Sequence, residues 1–197
     1  MNESKTDELR SDILTVPNLI SAFRILLVPV FLWSILNRRS SEALIIFFIA
    51  GISDFLDGLT ARLFHARSKL GMILDPAGDK FLLAVSTIAL TIRSLAAPNA
   101  IPIGLTLLIF GRDLLIVIGA LIAFLSWRQT SFPPSLIGKF STAFQLGTVF
   151  LVLLLNHLHI APGWLNWFFG ATAVLTVGSG VDYFRYGLRV LRERRRT

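Results

Sequence analysis

Cysteine is absent from all 197 residues, which removes disulfide frameworks, cysteine nucleophiles, thiolate zinc sites and iron–sulfur clusters, and leaves the redox compartment unreadable. Charge is scarce as well: Asp, Glu, Lys and Arg make up 16% of the chain, against roughly 25% in an ordinary soluble domain. That deficit argues against a water-soluble enzyme. Long linkers, internal repeats and low-complexity runs are missing, so a single domain is expected. The opening stretch, Met1 to Asp12, has neither a basic leading region nor a small-residue cleavage site, and it is not expected to be a secretory signal.

Apolar residues are abundant, at 54% of the chain. A mean hydropathy of +0.69 exceeds what a core of this size could bury, so lipid is the expected solvent. The apolar runs predict an all-α integral membrane protein with six transmembrane helices, near residues 17–36, 42–61, 72–93, 100–125, 140–158 and 162–186. Each approaches the ~20 residues needed to cross the hydrocarbon core. Residues 1–16 then form a cytoplasmic or interfacial lead with a short helix over 3–14, residues 17–190 form the six-span domain, and 191–197 form a basic tail. Pro29 is expected to bend the first helix.

The net charge of +7 would suit nucleic acid, but the basic residues flank apolar segments instead of alternating with stacking aromatics, so no nucleic-acid partner is expected. Anionic lipid headgroups fit better. Lys5, Arg10, Arg62, Arg67, Lys69, Arg128, Lys139 and the arginine-rich tail would share one side, leaving Arg38, Arg39 and Arg93 on the other. That bias puts both termini in the cytoplasm and the chain in an inner or plasma membrane as a multi-pass protein.

Ionised side chains at membrane depth cost at least ~2.5–3.5 kcal/mol each on insertion scales, so they mark function. Asp54 and Asp57, three apart, share one face of the second helix with Gly58, Ala61 and Arg62; Asp75 and Asp79, four apart, share a face of the third, with Gly71 one turn earlier. Folding the chain at Phe64 to Lys69 would bring four carboxylates together. Left alone they would repel and raise one another's pKa values. An all-oxygen set without His or Cys suits a hard divalent ion, Mg²⁺ or Mn²⁺, completed by substrate phosphates. The bland alternative is that the aspartates cap helices or pair with Arg62, Arg67, Lys69 and Lys80; capping is plausible for Asp75 before Pro76, but neither accounts for all four with two glycines at matching offsets. Gly58, Ala61 and Gly71 would let a bulky group lie against the backbone, and Arg62 offers a planar fork suited to phosphate.

The string Asp54-x2-Asp57-Gly58-x2-Ala61-Arg62-x8-Gly71-x3-Asp75-x3-Asp79 resembles, at every position and spacing, the signature of the CDP-alcohol phosphatidyltransferases. Pro17-Asn18-Leu19-Ile20-Ser21 ahead of Arg24 is similar to that family's lead into its first span. The resemblance implies the family's six-span fold, a homodimer, and transfer of the phosphatidyl group of CDP-diacylglycerol to an alcohol with release of CMP. It implies that Asp54, Asp57 and Asp75 hold two metal ions with Asp79, that Asp79 is the catalytic base, and that Gly58, Ala61, Arg62 and Gly71 cradle the CDP group beside Asp54 and Asp57.

Gly111-Arg112-Asp113 and the run Ile137 to Gln145 resemble the branch holding phosphatidylglycerophosphate synthases and the CDP-alcohol type of cardiolipin synthase. Both acceptors are glycerol-type and carry a phosphate, for which Arg112 and Lys139 are the candidate ligands. Phosphatidylglycerophosphate synthases commonly place Arg-Glu here with a second arginine two turns on; this chain has Arg112-Asp113 and then Ile118-Gly119-Ala120. The departure favours phosphatidylglycerol over glycerol 3-phosphate as acceptor. For Arg112 the structural alternative is an ion pair with Asp113 or Asp182, and for Lys139 it is snorkelling at the interface. A different class of function, an intramembrane cation transporter using the aspartates, predicts carboxylates near the midplane on several spans. His65, His157 and His159 read as surface residues, Trp127, Trp164 and Trp167 as interface anchors, and Gly178-Ser179-Gly180 as small-residue helix packing.

Overall fold

The computed structural model describes residues 16–64, 71–127 and 135–194, with side chains described at 23–53, 80–119 and 135–187. The expected interfacial helix over 3–14 and the turns at 65–70 and 128–134 lie outside these residues. Six helices account for the regular structure, and no strand occurs among the described residues: α1 (Val16–Leu36), α2 (Ser40–Phe64), α3 (Gly71–Thr91), α4 (Ile103–Trp127), α5 (Leu136–His157) and α6 (Leu165–Arg194). Each expected span coincides with one helix. Pro29 lies inside α1 without ending it. Two boundaries differ for visible reasons. The Ser135 side chain accepts a hydrogen bond from Gly138 N–H at 3.0 Å, an N-cap that starts α5 at Leu136, before Lys139. α6 runs to Arg194 because its basic end favours a helix C-terminus.

Buried residues recur at helical spacing. On α1 they are Arg24, Val28, Phe31 and Ile35; on α2, Ala43, Phe47 and Ala50; on α6, Leu165, Phe169, Thr172, Thr176 and Ser179. These stripes face one another: α1 packs on α2 and α3, α5 on α2, α3 and α6, and α4 on α3 and α6. The α5–α6 seam is polar. Thr148 and Thr172 hydroxyls meet at 2.9 Å, Ser141 donates to Thr176 at 3.3 Å, and Gln145 donates to both Ser141 and Thr176. Such bonds add directional contacts to a helix seam that apolar packing alone would leave less specific.

At the end of the bundle holding the 36–40, 91–103 and 157–165 connections, two features fix the chain. Asn156 donates to the carbonyls of Ala96 and Asn99 at 3.3 and 2.9 Å. Its carbonyl accepts from the Asn99 backbone and side-chain N–H groups at 2.8 and 3.0 Å. Asn99 also donates to Ile160 at 2.7 Å. The second feature is a pair of matching helix ends. α1 closes with Arg38 N–H bonded to Ile35 and Arg39 N–H to Ser34; α5 closes with His159 N–H bonded to Asn156 and Ile160 N–H to Leu155. Both are Schellman motifs, whose left-handed position is usually glycine. Here that position holds Arg38 (φ 58°) and His159 (φ 56°), a conformation costing a side-chain-bearing residue about 1–2 kcal/mol.

By length and apolar content one helix among the described residues, α5, suffices by itself to cross a membrane. Large apolar side chains nonetheless face outward on α1, α4 and α6 as well: Leu26 is 67% exposed, Leu107 66% and Val174 72%.

Candidate active site

Helical backbone runs through every position of the aspartate pattern. Asp54, Asp57, Gly58, Ala61 and Arg62 occupy the second half of α2, and Gly71, Asp75 and Asp79 the first half of α3. The spacing therefore places each pair of carboxylates on one helix face. Their side chains, and the turn meant to bring the two faces together, lie outside the described residues. Among the described residues no cluster of His, Asp or Glu is arranged to hold a metal ion.

What adjoins the pattern is described. Lys80, the residue after Asp79, lies 3.9 Å from the Asp113 carboxylate of α4. Asp113 in turn accepts from Arg112 Nη1 at 2.7 Å. Arg112 reaches on to α6, donating from Nε and Nη2 to the Ser179 hydroxyl at 3.1 and 2.9 Å. Its guanidinium carbon lies 5.5 Å from the centre of the Tyr183 ring. A chain of polar contacts thus runs from the turn after Asp79 through α4 to α6.

Of the two readings of Arg112, the structure shows the ion pair with Asp113. Its side chain is only 8% exposed, and three of its N–H donors are engaged, leaving one on each terminal nitrogen without a partner among the described residues. The start of α5 closes over it: a Cβ on Gly138 would stand 3.2 Å from Arg112 Nη2, 3.2 Å from the Tyr183 ring and 3.1 Å from Ser135 Oγ. Gly138 immediately precedes Lys139, whose side chain is exposed. The structure shows Gly138 against Arg112; no contact joins Lys139 to Arg112 among the described residues.

Three neighbours escape a reading of sequence alone. Ser179 belongs to the string taken for small-residue packing; it is fully buried and also holds Arg112. Tyr183 shares its face one turn later. Arg24 is 1% exposed on α1 and lines a cavity of about 150 Å³ with Ala50 and Gly51 of α2, Lys80 of α3 and Thr142 of α5. An arginine inside an apolar run was the available signal for it. The cavity adjoins both halves of the aspartate pattern, since Gly51 precedes Asp54 by one turn and Lys80 follows Asp79. His157 and His159 are exposed, as expected, and so are Trp164 and Trp167; Trp127 and His65 lie outside the described side chains.

Comparison with known proteins bears on the whole pattern. Residues 14–178 match the family model described as CDP-alcohol phosphatidyltransferase. The chain is 35% identical over 164 residues to a cardiolipin synthase (CMP-forming) of Streptomyces coelicolor, covering 78% of this chain and 69% of that one. It is 33% identical over 196 residues to the rat cardiolipin synthase (CMP-forming), covering 90% of this chain and 63% of the relative. It is 31% identical over 183 residues to a CDP-diacylglycerol–glycerol-3-phosphate 3-phosphatidyltransferase of Aquifex aeolicus, covering 90% and 98%. The cation-transporter alternative finds no support in these matches. A family model spanning most of the chain, with the eight-residue pattern inside it, shows that this protein belongs to the CDP-alcohol phosphatidyltransferase family of enzymes.

Proposed function

We propose that this protein transfers the phosphatidyl group of CDP-diacylglycerol to a glycerol-type acceptor bearing a phosphate, releasing CMP, and that phosphatidylglycerol is preferred to glycerol 3-phosphate. The observation that carries this reading is the eight-residue pattern on the helical backbone of α2 and α3, inside the matched region. Two relatives are named for cardiolipin synthesis and one for use of glycerol 3-phosphate; the Arg112-Asp113 pair and the missing second arginine tilt the choice.

The donor set fits a hard cation, because four carboxylates with no nitrogen or sulfur ligand suit Mg²⁺ or Mn²⁺. Asp54, Asp57, Asp75 and Asp79 would hold two such ions. When bound, they supply charge neutralisation for the pyrophosphate and for the departing CMP. The chain's own residues do the rest. Gly58, Ala61 and Gly71 leave room for the CDP group against the backbone, and Arg62 binds its phosphate. Asp79 takes the proton of the acceptor hydroxyl as that oxygen bonds to the phosphatidyl phosphorus and the bond from phosphorus to CMP breaks. Arg112 and Lys139 hold the acceptor's phosphate; the remaining N–H donors of Arg112 are preset by Ser179 and Asp113, which lowers the cost of orienting them.

The six helices cross the membrane in this reading, with the termini and the aspartates on the cytoplasmic side and a homodimer as the working unit. Six helices of 21 to 30 residues with outward apolar side chains support it, since water would disfavour such surfaces. The test is to incubate the purified protein with CDP-diacylglycerol, Mg²⁺ or Mn²⁺ and each acceptor in turn. CMP release with phosphatidylglycerol exceeding that with glycerol 3-phosphate is expected. Release with neither would overturn the assignment.

A further inference from the structure

The end of the bundle opposite the aspartates carries a cavity of about 460 Å³ lined by Arg38, Arg39, Ser41, Glu42, His157 and His159. Three properties make it unlike ordinary surface. First, Arg38 and Arg39 are among the few basic residues on this side; the charge bias that orients the chain runs against placing them here. Second, Arg38 and His159 stand at the left-handed positions closing α1 and α5, where glycine would cost nothing. Two independent helix ends thus keep a strained side chain, and both side chains line the same cavity. Third, its other members are already held in place. Arg39 pairs with Glu42 at 3.0 Å and lies 4.8 Å from the Trp33 ring centre, and His157 Nδ1 shares a hydrogen bond with Ser41 Oγ at 2.8 Å. Glu42 is thereby occupied by Arg39. Arg38 and His159 remain as donors without a hydrogen-bond or ion-pair partner among the described residues, beside the N–H groups that open α2 at Ser40 and Ser41.

We propose that this cavity binds an anionic phosphate group, as a site separate from phosphatidyl transfer. A planar guanidinium, an imidazole and a helix N-terminus are complementary to phosphate oxygens. Arg38 supplies the charge and His159 a second donor, while Arg39, fixed by Glu42 and Trp33, sets the cavity's wall. The phosphate can belong to a lipid headgroup or be free. The lipid source and the first of these properties rest on the membrane reading above; the helix-end geometry and the cavity lining do not.

Glycine variants test this directly, because they relieve the backbone while removing the ligand. The full chain in neutral detergent is titrated with radiolabelled inorganic phosphate and, separately, with short-chain phosphatidic acid, as wild type, Arg38→Gly and His159→Gly. Both variants should keep or raise the melting temperature, since glycine suits a positive φ. Arg38→Gly should weaken binding about tenfold or more, and His159→Gly less. A loss for both probes identifies phosphate itself as sufficient; a loss for one alone identifies its source. The difference from wild type separates this cavity from phosphate bound near Arg112. Equal affinity in wild type and both variants, or no binding by wild type, overturns the proposal, leaving Arg38 and His159 as helix-end residues only. If Arg38→Gly lowers the melting temperature, Arg38→Asn, which also tolerates the left-handed region, decides by the same criterion.

Discussion

The two ends of the bundle solve the problem of buried polarity in opposite ways. At the far end, Asn99 and Asn156 bond to one another and to three nearby backbone carbonyls, with all four side-chain amide N–H donors engaged in neutral hydrogen bonds. Toward the end holding the aspartate pattern, Lys80, Asp113, Arg112 and Ser179 form a charged chain in which Arg112 keeps donors to spare. A neutral network whose donors are all engaged resists a change of partner, whereas a charged one with donors in reserve can accept a ligand without first breaking a bond. The first kind suits a junction that fixes three connections together, the second a place able to take up a further acceptor.

The largest expected effect is at the end holding the aspartate pattern. Removing divalent ions with excess EDTA should abolish CMP release; full activity in EDTA would sink the metal assignment. Asp79→Asn should cut turnover by ~10²–10⁴-fold, the range for a lost general base, while CDP-diacylglycerol still binds. Asp54→Asn should weaken metal and donor binding together. If Asp79→Asn kept more than about a tenth of wild-type kcat, Asp79 would be a metal ligand at most.

Next comes Arg112→Ala. Charge-assisted bonds contribute about 1.5–3 kcal/mol, so kcat/KM for the acceptor should fall roughly 10- to 150-fold, with donor KM little changed. An unaltered acceptor KM with lost donor affinity would move this arginine to the donor side.

At the far end the expected damage is to stability. Asn156→Leu strands Asn99 in a buried site, at about 1–3 kcal/mol, seen as a lower melting temperature with the CMP release per folded molecule unchanged. A drop in turnover at constant melting temperature would break the contrast between the ends.

The smallest effect belongs to Ser179→Ala. It removes a positioning contact while leaving the charge, and should raise acceptor KM about 2- to 10-fold with kcat little changed. Restoration by Ser179→Thr, which keeps a hydroxyl, would separate orientation from simple packing.

Helix number and most boundaries were legible because apolar runs of membrane-spanning length leave little choice of structure, and because Ser, Pro and basic residues punctuate them. The aspartate pattern was legible because spacings of three and four become a single face once the backbone is helical. The contact of Arg112 with Ser179 and the partners of Asn156 were not. Ser179 lies far along the chain from Arg112, and nothing in Gly178-Ser179-Gly180 distinguishes a hydroxyl that packs from one that also accepts a bond. Periodicity gives the face of a helix but not the height at which two helices meet. Nor does it flag Arg38 and His159, since the left-handed turn after a helix is usually read from a glycine that is absent here.

That height is set by the α5–α6 seam, which works as a ruler. Thr148 meets Thr172, Ser141 meets Thr176, and one turn further along α6 stands Ser179, the residue that holds Arg112. Sliding α6 by a single turn would misalign every rung at once and carry Ser179 away from the guanidinium. None of the rungs is ionisable, so neither acidity nor ionic strength will shift the scale. The position of Arg112 is therefore calibrated by a seam of neutral hydroxyls at some distance along α6 from it.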